Sequence, residues 1–161
     1  GSGILAITLA AECPMIKMLA VDKSEAALNI AKDNAELYQL SNIEFYQSDW
    51  FSNIKKQSFD LIVSNPPYIP EDDEHLNQGD VRFEPKSALI ADNHGLKDIE
   101  QIANHARDYL NNHGYLLVEH GYNQAESVQT IFKNSGYINI QIHHDLSGQA
   151  RVTSGQIGVQ I

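Results

Sequence analysis

Apolar positions recur along the chain in two alternating rhythms, short unbroken runs and helix-spaced faces, and that alternation predicts an α/β fold. Ile4 to Ala11 is apolar almost all round, which predicts a helix buried against a sheet. Ile16 to Val21 predicts a strand ending in Asp22, after which Ser24 and Glu25 open a helix with an inner face of Ala27, Leu28, Ala31, Ala35 and Tyr38. Ile43 to Tyr46 predicts another strand, with Gln47-Ser48-Asp49-Trp50 leaving its carboxyl end. Leu61, Ile62 and Val63 form the unbroken run expected of a parallel strand covered on both faces. The helical period returns from Asp98 with Ile99, Ile102, Ala103, Ala106 and Leu110, followed by Gly114 and a strand from Tyr115 to Glu119. Asn123 to Asn134 predicts a helix ended near Gly136. Ile138, Ile140 and Ile142 then alternate with polar residues, as on an edge strand with one wet face, and Ile157, Val159 and Ile161 alternate likewise.

Composition narrows the picture. A chain of 161 residues that is 42% hydrophobic has the size of one domain, residues 1–161, with a sizeable core. Its apolar runs are broken by charge or glycine and it shows no secretory signal, so a soluble, cytoplasmic protein with no membrane association is expected. Cys13 is the only cysteine, which removes disulfides and cysteine zinc clusters and predicts a small buried residue. The net charge of -10, with Lys55-Lys56 as the densest basic pair, disfavours nucleic acid as a direct substrate and favours a polypeptide partner. No metal is expected: Glu71-Asp72-Asp73-Glu74 lacks the spacing of a calcium loop, and His143-His144 in a strand point to opposite faces.

Candidate chemistry concentrates where strands end. After Val63 and Ser64 the chain runs into Asn65-Pro66-Pro67-Tyr68. Asn65 and Pro66 each precede a proline and are pushed into extended conformations, and neither proline has a backbone donor, so the turn is stiff and rich in acceptors. The Asn65 side-chain oxygen and the Pro66 carbonyl could accept both N–H bonds of one planar amide or amino group, with Tyr68 stacked on its plane. Gly1-Ser2-Gly3 at a helix N-terminus would let backbone approach a ligand closely. Asp22, about twenty residues further on at a strand end, stands where a carboxylate grips ribose hydroxyls, although helix capping is its plainer reading. Gly1, Gly3 and Ala6 also fit the dinucleotide fingerprint, but nothing later supplies a proton relay for hydride chemistry. Residues 69–93 form a long polar excursion of the kind that makes lids or binding loops.

Asn65-Pro66-Pro67-Tyr68 resembles the signature of S-adenosylmethionine-dependent methyltransferases that modify planar nitrogens. Gly79-Asp80-Val81-Arg82-Phe83-Glu84-Pro85 and Arg151-Val152-Thr153 resemble one branch, the peptide chain release factor N5-glutamine methyltransferases, and the resemblance covers nearly the whole chain. It implies a Rossmann-like class I methyltransferase fold with a mostly parallel sheet and an antiparallel last strand. It implies S-adenosyl-L-methionine as cofactor, with S-adenosyl-L-homocysteine as product, held by Gly1, Ser2, Gly3, Asp22 and Asn65, by Asp49 at the adenine amino group and by a stacked Trp50. For Asp49 and Trp50, a solvated turn and core packing remain the alternatives. Asn65, Pro66 and Tyr68 become the catalytic residues, Pro67 joins them in binding the substrate, and Arg82, Phe83 and Glu84 lie near it. The implied substrate is a glutamine of a peptide chain release factor. The alternatives are an adenine-N6 DNA or RNA methyltransferase and a non-catalytic binding fragment. In that family a first strand and a helical domain precede the glycine loop and are absent from this chain. A fragment with apolar strand edges, weak cofactor binding and a tendency to self-associate is therefore the expectation.

Overall fold

The computed structural model describes residues 1–68 and 95–159, which divide into two compact units, Gly1–Lys55 and Lys56–Ile161. The first unit contains α1 (Ile4–Glu12), β1 (Met18–Asp22), α2 (Glu25–Leu37) and β2 (Ile43–Gln47). β1 and β2 pair in parallel from Met18 opposite Ile43 to Asp22 opposite Gln47. Ser24 caps α2, its hydroxyl accepting from the Ala27 N–H at 3.2 Å, so the helix starts where the sequence places it. Asn42 ties the unit's other end by donating from its amide to the carbonyls of Ala10 at 3.0 Å and Ile16 at 3.2 Å.

Three apolar expectations in this unit are corrected. α1 buries only Ile7 and Ala10, with Ile4 72% and Leu5 43% exposed, because only one face of it packs on the unit. Tyr38 lies past the end of α2 and is exposed, so the buried face is Leu28, Ala31 and Ala35. Cys13 is exposed as well, since it is the residue that closes α1 rather than part of its inner stripe.

The second unit contains β3 (Phe59–Ser64), α3 (Lys97–Ala106), a 3-10 turn (Arg107–Tyr109), β4 (Leu110–Glu119), α4 (Ala125–Asn134), β5 (Ile138–His144) and β6 (Ala150–Gln156). Its strands form a four-stranded sheet in the order β3-β4-β6-β5. β3 pairs with β4 in parallel, and β6 is antiparallel to both β4 and β5, so the last strand alone runs the other way. The core is built by Ile99, Ile102, Ala103 and Ala106 of α3, Val128 and Phe132 of α4, and Leu116 and Val118 of β4, all fully buried or nearly so. Each large aliphatic side chain so placed contributes about 1.5 to 3 kcal/mol relative to exposure. Tyr137 packs its ring 4.9 Å from that of Phe132 and donates its hydroxyl to the Ala103 carbonyl.

Two strand expectations are corrected here. β3 is not covered throughout, since Leu61 is 48% exposed; its place at one edge of its sheet fits the expectation of an apolar strand edge. The final strand is Ala150–Gln156 and not the alternation at Ile157 and Val159; Ile161 lies outside the described residues. β6 is polar in sequence yet lies between two strands, and it buries Thr153 and Ser154 because His120 and His143 hydrogen-bond to them. Ile157 only prolongs the ladder, exchanging backbone bonds with His113 and Gly114. Among the described residues no helix is long and apolar enough to cross a membrane, and no group of His, Cys, Asp and Glu could hold a metal ion.

Candidate functional site

In the first unit, the glycine segment and the carboxyl ends of both strands converge through Asp22. Gly3 caps α1 in the left-handed region at φ 80, where a Cβ would lie 2.8 Å from that of Ala31, so only glycine lets the chain pass this close to α2. The Ser2 carbonyl accepts from Asn34 at 3.0 Å. Asp22 accepts the Ser24 N–H on one carboxylate oxygen at 2.7 Å and pairs with the Gly1 amino group through the other. The Asp22 carbonyl takes the Ser48 N–H at 3.1 Å, which ties the loop after β2 to the end of β1. Ser48 is buried; its hydroxyl donates to the Trp50 carbonyl at 2.8 Å and accepts the Asn53 N–H at 3.0 Å. That clamp holds Trp50 at φ 50, a conformation unfavourable for a bulky residue. Trp50 is half-buried and Asp49 exposed, so neither is a core residue. Carboxylate acceptors at Asp22 and Asp49, a partly open indole and the free N–H groups of the first turn of α1 make a donor and acceptor set that fits a nucleoside bearing an amino-acid chain.

In the second unit, Asn65 stands exposed just beyond β3, Pro66 is buried beneath it, and Pro67 and Tyr68 are half-buried. The turn is thus anchored by one proline while the asparagine faces outward. Tyr68 is held at both ends: its hydroxyl donates to Glu119 Oε1 at 3.1 Å, and its carbonyl accepts from Gln124 Nε2 at 2.9 Å. Gln124 Oε1 in turn accepts the Gly121 N–H at 2.8 Å. Gly95, at φ 80, presses on the same carbonyl so closely that a Cβ there would come within 2.0 Å of it. Arg82, Phe83 and Glu84, with the whole Gly79 to Pro85 segment, lie outside the described residues.

Glu119, His120, Gln124 and Thr153 were not singled out from sequence as site residues. The signal was there for Glu119 and His120, since they leave the carboxyl end of the strand beside β3, the same kind of position that pointed to Asp22 and Asp49. His120 is fully buried, its N–H donating to the Arg151 carbonyl at 2.9 Å. Its Nδ1 lies 2.9 Å from the Gly121 carbonyl and its Nε2 2.8 Å from Thr153 Oγ1. A carbonyl can only accept, so the network assigns the proton to Nδ1 and leaves Nε2 to accept from the threonine hydroxyl. Burial pushes the His120 pKa below its ordinary value and so favours the neutral ring, with the bond to Gly121 opposing it.

Comparison with known proteins follows the same lines. The family model of the methyltransferase small domain matches residues 1–83, about half of the chain. A release factor glutamine methyltransferase of Aliivibrio fischeri is 45% identical over 97% of this chain and 55% of its own length. Those of Shewanella oneidensis and Escherichia coli are 48% and 45% identical, again over 97% of this chain and 54% and 56% of theirs. The chain therefore spans about half the length of the curated relatives it matches. Among solved structures, a methyltransferase from Pyrococcus furiosus superposes with a TM-score of 0.73 at 18% identity, over 99% of this chain and 72% of that one. A ribosomal protein L11 methylase from Lactobacillus delbrueckii gives 0.67 at 19%, over 99% and 66%. At such identities these likenesses speak for the fold alone, an α/β class I methyltransferase fold with its last strand reversed. The chain belongs to the methyltransferase small domain family, and by sequence its kin there are the release factor glutamine methyltransferases.

Proposed function

We propose that this chain carries the methyltransferase part of an enzyme that moves a methyl group from S-adenosylmethionine to the side-chain amide nitrogen of a glutamine in a peptide chain release factor. The observation that carries this reading is the Asn65–Tyr68 turn, with Asn65 exposed, Pro66 buried and Tyr68 fastened at both ends. The names of relatives 45% to 48% identical support the choice of substrate. A cytoplasmic location accompanies it, since release factors act on ribosomes.

The cofactor, when bound, supplies an electrophilic methyl group on a sulfonium that would leave as the neutral thioether S-adenosylhomocysteine, while the methylated amide gives up one N–H proton to solvent. In the first unit, Asp22 would accept from ribose hydroxyls, Asp49 from the adenine amino group, and Trp50 would offer a stacking face beside the Gly1-Ser2-Gly3 backbone. An amide nitrogen is a poor nucleophile because its lone pair is delocalised into the carbonyl. Asn65 and the Pro66 carbonyl would accept its two N–H bonds, and Tyr68 would flank its plane, fixing the direction of the lone pair. Because two prolines fix the backbone of the turn before the substrate arrives, the Pro66 carbonyl needs little reorganisation at the moment of reaction.

The test is to incubate the full-length protein with methyl-labelled S-adenosylmethionine and either a release factor or DNA, and to locate the label. Label on a glutamine amide is expected; label on adenine amino groups would replace this reading with the adenine-N6 one. Asn65→Ala should keep the wild-type circular dichroism while the rate of transfer falls on the order of a hundredfold or more. Wild-type turnover in that variant would sink the mechanism.

A further inference from the structure

Two prolines fix the backbone of the Asn65–Tyr68 turn, but they leave the side-chain torsions of Tyr68 free. Its ring is tethered at the tip, where the hydroxyl donates to Glu119 Oε1 at 3.1 Å, a bond that fixes the direction in which the ring projects. Glu119 is well placed for that task. It is the last residue of β4, paired with Val152 of β6, and its neighbour Val118 is paired with Thr153 on one side and Ser64 of β3 on the other. The next residue, His120, is locked by its N–H to Arg151 and by its ring to Thr153. The carboxylate therefore projects from backbone held on both sides, and a charged acceptor makes a stronger bond to a phenol than a neutral one does. Gln124 closes the arrangement by bridging the Tyr68 carbonyl and the Gly121 N–H.

We propose that Glu119 is a positioning residue: by accepting the hydrogen bond from the Tyr68 hydroxyl, it holds the Tyr68 ring in the place that flanks the substrate amide at Asn65. It touches no reacting atom itself. The inference rests on the reading of the turn as the amide-binding site, and its test separates the two.

In the full-length protein, Glu119→Ala and Tyr68→Phe should each lower the turnover of glutamine methylation on the order of tenfold, a loss of orientation, with cofactor affinity unchanged. The double variant should be no slower than either single one, because both remove the same bond. Glu119→Gln keeps a carbonyl acceptor and should recover most of the activity, with the pH profile of the wild type. Multiplying losses in the double variant would overturn the proposal, as would a Glu119→Gln as slow as Glu119→Ala with one limb of the pH profile gone, which marks a base acting on the substrate. A readout that needs no substrate is nuclear magnetic resonance of ring-labelled Tyr68: the Cζ signal, which senses the hydroxyl's bond, should move in Glu119→Ala and stay near its wild-type place in Glu119→Gln. Ring signals unmoved by Glu119→Ala would overturn the positioning role whatever the substrate. Ring signals that move in Glu119→Ala, in a protein that places no label on glutamine, would leave the positioning of Tyr68 standing and remove only the proposed reaction.

Discussion

At the scale of single residues, His120 shows how a buried polar group is tolerated beside the candidate site. Its ring finds an acceptor in the Gly121 carbonyl and a donor in the Thr153 hydroxyl, so no polar atom of it is stranded. Its folded pKa is lowered by burial, so below the unfolded value of about 6.5 the unfolded chain binds a proton that the native chain resists. The stability this residue contributes is present above that pH and is lost as the pH falls through it toward the folded value. Urea unfolding of the wild type should accordingly weaken between about pH 7.5 and about pH 5.5, and His120→Gln should weaken less across that interval. Equal losses in both would show that other groups carry the acid sensitivity. Thr153→Val should cost about 1 to 3 kcal/mol at neutral pH, since it leaves Nε2 buried without a donor. Neither partner was legible in the sequence as a pair, because 33 positions separate them and only the β4–β6 register brings them together.

At the scale of elements, the helices were read well and the polar strand was not. Ser24 was readable as a cap, and it caps α2; Ile99, Ile102, Ala103 and Ala106 were readable as one face and all of them are buried, whereas Leu110, read with them, opens β4 instead. Helix faces and caps are local, set by neighbours within a few positions. Ser24→Ala should therefore lower stability by about 1 kcal/mol, seen as a shift of the urea midpoint with an unchanged slope. No shift would mean that the Asp22 bond to the Ser24 N–H already holds the start of the helix. β6 escaped because its sequence, Ala-Arg-Val-Thr-Ser-Gly-Gln, carries little apolar alternation, and its burial depends on which strands flank it. Leu61 and Ile4 erred in the other direction: an apolar run announces a surface to be covered, but what covers it is decided elsewhere.

At the scale of the whole molecule, charge makes the broadest prediction. A net charge of -10 should prevent retention of duplex DNA at about 0.15 M salt, where binding relies on clustered Lys and Arg to release counterions. Gel-shift titration should show no complex under the conditions of the methylation assay; tight, salt-sensitive DNA binding would instead favour the adenine-N6 reading. The amino-acid sequence by itself determined the alternation of helix and strand and the family, and it marked Gly1-Ser2-Gly3, Asp22 and Asn65-Pro66-Pro67-Tyr68 as candidates, because these depend on residue type and short spacing. Only the tertiary structure decided that Tyr68 is held by Glu119 and Gln124, that Ser48 fastens the Trp50 loop, and that Thr153 is buried while Cys13 is not. Those outcomes come from strand order and register, which join residues tens of positions apart, and no periodicity along the chain encodes which of many distant polar groups will meet.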